Sequence, residues 1–322
     1  MFGSPLLKPQ KKIVCIGGGS AMPRAVLSEL KKTPHHLAVI SAVLDSGGSS
    51  GKLRNDYHTI SFGDIRRAFI ELVDFPKDIK NYLNYRFEGG ELDRHSLANI
   101  MLSGLYLSCG NYRDFFEKIN SFLADRHRIL PATITDSHLH AILENGEEIK
   151  GETNINIPKH DSDLRIKKIF LVPEAKACPV TVRNIKEADL IVIGPGDLYS
   201  SLLQTLLING ISEAINASKA KKIFICNLMT KRGESNNYNV RDFCDEIERY
   251  IGGSLDYIIY NKEVPDKERL SEYKESHPEL AQVVSIPEGL DSKKFIGADL
   301  LQEVGSVSHS QHKLAKIILD LI

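Results

Sequence analysis

Gly17-Gly18-Gly19-Ser20 stands directly after the apolar run Lys12 to Ile16, and a segment opening on Pro23 follows it. Glycine lets a backbone come close to a phosphate, and the free N–H groups at a helix N-terminus favour an anion. The dinucleotide fingerprint would need a glycine at 22, where Met22 stands, although Asp45 lies where a ribose-binding acid would be. A tight turn with no ligand is the plain alternative. The same strand, glycine loop and helix design returns at Gly194-Pro195-Gly196-Asp197-Leu198-Tyr199-Ser200-Ser201, after the apolar stretch Leu190 to Ile193. Two such loops in one parallel sheet can face each other across a topological switch point, where open α/β sheets usually bind ligands.

Other loops carry matching chemistry. In Asp45-Ser46-Gly47-Gly48-Ser49-Ser50-Gly51-Lys52-Leu53-Arg54, glycines and serine hydroxyls lie between an acid and two cations. Amides and hydroxyls of this kind can cradle phosphate oxygens while Arg54 offsets their charge. The Walker A spacing fails, because Gly47 and Gly51 are one residue too close and Leu53 follows Lys52. A solvated loop is the alternative. Gly63-Asp64-Ile65-Arg66-Arg67 marks a helix start. Asp64 there either caps the helix or holds a divalent ion or a sugar hydroxyl. Arg66 and Arg67 leave the helix on different faces, so one of them at most reaches a shared ligand. Asn227, in Asn227-Leu228-Met229-Thr230-Lys231-Arg232-Gly233-Glu234, is placed to read a base or sugar edge. His138 and His140 share a strand face, but no third metal ligand accompanies them. His95 precedes an apolar helix, where capping and packing explain it nearly as well as a ligand does. No nucleophile elbow and no Cys–His signature is visible.

The elements that must position these loops read as an α/β fold: a Rossmann-like, mostly parallel sheet flanked by helices, with a small antiparallel insertion. Strands are expected at Lys12 to Ile16, Leu37 to Leu44, Ile169 to Val172, Leu190 to Ile193, Lys222 to Cys226 and Tyr257 to Tyr260. Helices are expected at Pro23 to Lys32, Asp64 to Val73, Ser96 to Leu107, Tyr112 to Leu123, around 199–217 and 240–251, and at His312 to Ile322. Residues 45–63 read as one long loop. Ala132 to Thr135 and His138 to Leu143 read as strands, and Asn145-Gly146 as a hairpin turn, which puts the insertion at about 129–165. Residues 261–282 read as a polar excursion. Residues 1–11 read as a flexible tail, and 12–322 as a single nucleotide-binding domain.

Composition narrows the class. The 322 residues are 42% hydrophobic, enough for a substantial core, and the net charge of −1 gives no electrostatic reason to bind nucleic acid or an anionic membrane. The apolar run Ile13 to Ile16 is too short for a signal core, and no stretch approaches the roughly 20 apolar residues of a membrane span. The five cysteines show no CxxC spacing. A reducing cytoplasm is the expected location.

Six motifs in order resemble the YvcK/CofD-like family, specifically its YvcK branch, from about residue 12 to 300. Gly17-Gly18-Gly19-Ser20-Ala21 resembles the opening glycine motif, GGG followed by Ser/Thr and Gly. Asp45 to Arg54 is similar to DDGGSSGxLR, and Phe62 to Arg66 to PGDIR. Arg94-His95-Ser96-Leu97-Ala98-Asn99 is similar to GHSxGN, Gly194 to Ser201 to GPGSLYTS, and Asn227 to Ser235 to NxMTQPGET. The resemblance implies a nucleotide site that includes His95, Asn99, Ser200 and Met229 beside the glycines, Asp45, Asp64, Arg54, Arg66 and Asn227. In the YvcK branch it implies binding of UDP-sugars such as UDP-N-acetylglucosamine, with a regulatory role in carbon metabolism and in cell wall and cell shape, and a homodimer. In the CofD branch it implies Mg²⁺-dependent phospholactyl transfer to a deazaflavin.

The chain departs from the pattern where Ala21 replaces a glycine, Ser46 an acid, and Lys231-Arg232 a Gln-Pro pair. A metal-dependent transferase would want two carboxylates on Mg²⁺. With Ser46 in place of one, Asp45 and Asp64 remain as candidate catalytic or metal-binding acids, and binding without turnover is favoured. The expected function is therefore a nucleotide-sugar-binding regulator. The rivals are a Mg²⁺-dependent 2-phospholactate transferase-type enzyme and, further off, an NAD-binding oxidoreductase. On this reading Arg54→Ala weakens nucleotide binding without unfolding the protein.

Overall fold

Strands follow one another as β1 (Lys12–Ile16), β2 (His36–Ser41), β3 (His127–Pro131), β4 (His138–Leu143), β5 (Glu148–Lys150), β6 (Ile166–Val172), β7 (Leu190–Ile193), β8 (Lys221–Ile225), β9 (Met229–Lys231), β10 (Tyr257–Asn261), β11 (Leu280–Val283) and β12 (Phe295–Ala298) in the computed structural model. It describes residues 9–277 and 280–322. Seven strands form one sheet in the order β3-β2-β1-β7-β8-β10-β12, and every neighbouring pair is parallel. Parallel strands carry helices on both faces, so their side chains are buried on both sides and read as unbroken apolar runs. Ile13 to Ile16 and Leu190 to Ile193 are all buried, which is why β1 and β7 are legible in the sequence.

The chain starts at β1, builds outward through β2 to β3, and later returns to build from β7 on the other side of β1. The order therefore reverses between β1 and β7. Both strands end in a glycine turn, and both turns lead into π-helical segments, Pro23–Leu27 and Leu198–Leu203. The two expected glycine loops are thus neighbours at the switch point of the sheet.

Several expectations are corrected. Residues 45–63 are not one loop: Gly48–Tyr57 is a helix ended by His58 in the left-handed conformation. Its buried face is Ser49, Gly51, Leu53 and Arg54, so it shows no apolar stripe for a sequence pattern to catch. A Cβ on Gly51 would lie 2.0 Å from the Ser46 carbonyl oxygen, so that turn admits only glycine. The antiparallel unit is the three-stranded sheet β5-β4-β6, residues 138–172 rather than 129–165. Ile169 to Val172 belongs to this small sheet and not to the parallel one. Ala132 to Thr135 forms no strand and makes only a bridge from Thr133 to Ala177. The excursion after β10 contains the helix Lys267–Ser276 and β11, which pairs with β9. Of the expected tail, residues 1–8 lie outside the described residues. Among the described residues, no helix is long and apolar enough to cross a membrane.

Candidate functional site

A cavity of about 610 Å³ opens at the carboxyl ends of β1, β7 and β8. Gly18, Gly19 and Ser20 line it from the first turn, Pro195 and Gly196 from the second, and Asn227 and Met229 from the third, with Asp45 also on the wall. The turns are in close approach. A Cβ on Gly196 would lie 3.4 Å from the Gly18 carbonyl oxygen. A Cβ on Gly18 would lie 2.4 Å from Asp64 Oδ2 and 2.9 Å from Ser201 Oγ, so the turn cannot carry a side chain there.

Asp64 sits behind the first turn at 4% exposure. Its Oδ1 accepts from the Gly19 amide at 2.9 Å and from the Arg67 guanidinium at 2.5 Å, while Oδ2 has no hydrogen-bond partner among the described residues. The Gly19 amide is therefore directed at a protein carboxylate. Arg67, three residues after Asp64, lines the cavity. This reverses the expected choice of cation: Arg66 turns to the Asn84 side-chain oxygen at 3.0 Å instead, and burial lowers its pKa to about 10. The i, i+3 spacing places Arg67 on the Asp64 face of the helix, a signal present in the sequence.

The second turn holds a carboxylate of its own. Glu234 accepts from the Tyr199 and Ser200 amides at 3.0 and 3.2 Å and from the Ser200 hydroxyl at 2.8 Å. It occupies the N-terminal donors expected to hold phosphate, so Ser200 serves Glu234. Lys231 is buried between Asp197 at 2.7 Å and Glu234 at 3.1 Å, and it also donates to Asn156 Oδ1. Its charge is already matched, and it ties the three loops together.

Other expected site residues support the walls without lining the cavity. Arg54, 3% exposed, donates to Asp136 at 2.6 and 3.1 Å and to the carbonyls of Leu44 and Ser137 at 2.8 and 2.6 Å. Its fork is saturated, so the expectation that it offsets ligand charge is corrected. Ser49 Oγ lies 3.2 Å from His95 Nδ1 and accepts from the Ser96 amide. Asn99 donates to Ser49 Oγ and Ser50 Oγ, each at 3.1 Å. These four side chains pin the Gly48–Tyr57 helix to Leu97–Cys109. Gly63 abuts Ser50 and Asp45, Gly17 packs on Met22, and Gly194 lies against the Ile225 carbonyl. Gly48 takes a positive φ at the start of its helix.

Burial raises the carboxyl of Asp64 to about 7, helped by the nearby charge of Asp45, and it raises Glu152 to about 7 for the same two reasons. Asp45 is raised by burial too, against the opposing charges of Arg67 and Arg54. Burial works against the charge of Arg67, but Asp64 and Asp45 outweigh it and raise its pKa. The Asp45–Asp64 pair does not fit a divalent ion, because the Arg67 guanidinium already lies on Asp64 and answers Asp45. The one group of three close ligand atoms among the described residues is Cys244, Asp245 and Glu248, away from this cavity.

These carboxyls give the site a pH dependence. Protonating Asp64 or Glu152 removes negative charge near a bound anion. Affinity for an anion is therefore present below about pH 7 and falls as pH rises through that value. An anion held in the cavity whose own charge is constant over this range is expected to bind severalfold more tightly at pH 6 than at pH 8 by calorimetry. A pH-independent or inverted profile would exclude both carboxyls from contact with ligand charge.

The whole arrangement has relatives. The family described as 2-phospho-L-lactate transferase CofD matches residues 13–296. The gluconeogenesis factor of Bacillus subtilis is 34% identical over 322 residues, covering 97% of this chain and 98% of the relative. The gluconeogenesis factor of Listeria monocytogenes is 35% identical over 319 residues, covering 97% and 95%. A crystal structure of a UPF0052 family member from Bacillus halodurans superposes with a TM-score of 0.88 at 32% identity, covering 96% of this chain and 99% of the other. With a match across nearly the whole parallel sheet, the chain belongs to the CofD family and stands among its gluconeogenesis-factor relatives.

Proposed function

We propose that this protein binds a nucleoside-diphosphate sugar of the UDP-N-acetylglucosamine kind and acts as a regulator of carbon metabolism and of cell wall and cell shape. The observation that carries the reading is the meeting of three strand-end turns around one cavity of about 610 Å³ with Arg24 and Arg67 on its wall. The diphosphate lies between the turns at 18–20 and 195–196, offset by those two cations. Asn227, at the end of β8, takes the ribose or the base. The names of the relatives support a part in gluconeogenesis. A reducing cytoplasm suits the chain, whose five cysteines are all unpaired.

Turnover has less support. Ser46 stands where a second acid would be, and Arg67 answers the remaining pair. Calorimetry with UDP-N-acetylglucosamine, GDP and NAD, each with and without Mg²⁺, separates the readings. Binding of the UDP-sugar that ignores Mg²⁺ is expected. A strict Mg²⁺ requirement with GDP would favour the transferase reading, and binding of NAD alone would favour an oxidoreductase.

A further inference from the structure

The helix Pro179–Lys186 and the turn at Asn209 and Gly210 border a groove of about 720 Å³ that shares no lining residue with the cavity at the switch point. Asn209 ties the turn to the segment before the helix: its amide donates to the Ala175 carbonyl at 3.0 Å, and its carbonyl accepts from the Ala177 amide at 2.9 Å. The floor is apolar, built from Ala177, Pro179 and Val182. Thr133 bridges to Ala177 and His138 pairs with Val172, so 133–138 runs beside 172–177. On these segments and the helix that follows, Ile134, Val172 and Val180 are 49%, 42% and 38% exposed. Large apolar side chains left open in one neighbourhood mark an interaction surface.

The rim of the groove is positive. Lys176, Arg183 and Lys186 line it, all three are exposed, and none makes an ion pair among the described residues. Glu187, the acid among the lining residues, is already held by Lys12 at 2.8 Å. A helix C-terminus favours cations through its dipole, which accounts for Arg183 and Lys186 standing in the last turn. It does not account for Lys176, which precedes the helix and faces the same groove. The i, i+3 spacing of Arg183 and Lys186 turns both toward it. The net charge of the chain is −1, so this excess of positive charge belongs to the groove and not to the protein as a whole.

We infer that this groove docks an acidic amphipathic segment of a partner protein, its apolar side chains on the floor of Ala177, Pro179 and Val182 and its carboxylates on Lys176, Arg183 and Lys186. Charge complementarity selects the occupant. A cationic segment is repelled by the rim, and an uncharged one gains nothing from it. A groove walled by a helix and a turn receives a chain along its length, as helix-in-groove recognition requires, whereas a lipid surface would meet only the rim. The docking site lies outside the nucleotide reading and stands whether or not a nucleotide binds.

Fluorescence anisotropy on the full chain tests it with two labelled helical peptides, one carrying leucine on one face and glutamate on the other, the second carrying lysine in place of glutamate. The glutamate peptide is expected to bind about tenfold or more tightly than the lysine peptide, with affinity falling at high salt. Lys176→Ala, Arg183→Ala and Lys186→Ala combined are expected to weaken the glutamate peptide about tenfold. All three side chains are exposed, so the melting temperature and the affinity for UDP-N-acetylglucosamine are expected to stay at wild type. Lys176→Ala alone, outside the helix, is expected to weaken the peptide about threefold and guards against a change in the helix itself. A glutamate peptide that does not bind, or that binds the triple variant as well as wild type, overturns the inference. Binding to vesicles containing phosphatidylglycerol with none to the peptide also overturns it, because the groove would then be a membrane contact.

Discussion

Arg67→Met is expected to lower affinity for UDP-N-acetylglucosamine about a hundredfold and to leave a folded protein. Arg67 is the cation fixed on the cavity wall by a buried partner, Asp64, while the Lys231 charge is already matched by Asp197 and Glu234. A hydrogen bond from a charged group contributes about 1.5–3 kcal/mol, and removing the cation also leaves Asp45 on the cavity wall, and Asp64 behind the turn, unscreened. Those two losses together reach the hundredfold range. The fold is less exposed to the change, because Asp45 and Asp64 are both already shifted toward holding protons. Without the guanidinium they take protons more readily still, so the loss of affinity should be smaller at pH 6 than at pH 8. Arg67→Lys keeps a charge but not the fork, and should fall between. Wild-type affinity in a folded Arg67→Met protein would remove Arg67 from the site.

Arg54→Ala is expected to do the opposite: to lower the stability by about 3 kcal/mol, a large part of the roughly 5–15 kcal/mol that holds a domain folded. The side chain is 3% exposed and closes the start of its loop by bonding Asp136 and the carbonyls of Leu44 and Ser137. Truncation leaves buried carbonyls without donors, at about 1–3 kcal/mol each. Asp136 is 69% exposed and is resolvated cheaply, which keeps the total below that of a fully buried ion pair. Urea denaturation of Arg54→Ala measures this as a lower midpoint. In the fraction that stays folded, UDP-N-acetylglucosamine affinity should be close to wild type. Loss of affinity with unchanged stability would restore Arg54 to the ligand.

The contrast between these two arginines shows what the sequence could and could not reveal. β1, β7 and β8 are short apolar runs bounded by glycine or polar loops, and burial on both faces makes such strands legible. The pairing of the turns after β1 and β7 follows from that strand and loop rhythm. The direction of individual side chains does not. Arg54 lies in a motif rich in phosphate-binding residue types, yet Gly48–Tyr57 folds as a helix and turns it inward. Arg67 required the helical register of Asp64, which favours it over Arg66. Glu234 is thirty-four residues from Ser200, and no local pattern announces that its carboxylate fills the helix start there. The helix Lys267–Ser276 has no apolar stripe, because it rests on the cavity rim through a few residues. It was therefore invisible as a wall. β12 and β9 are four and three residues long, too short for periodicity to register.

The proposed function requires one anionic diphosphate between the two glycine turns at the switch point of the sheet. A crystal structure of the protein grown with UDP-N-acetylglucosamine tests it most directly. Phosphate oxygens are expected within hydrogen-bond reach of the 18–20 and 195–196 turns and of the Arg67 guanidinium. Density for the ligand elsewhere on the molecule, or a diphosphate held by Arg54 and the 48–51 segment, would contradict it.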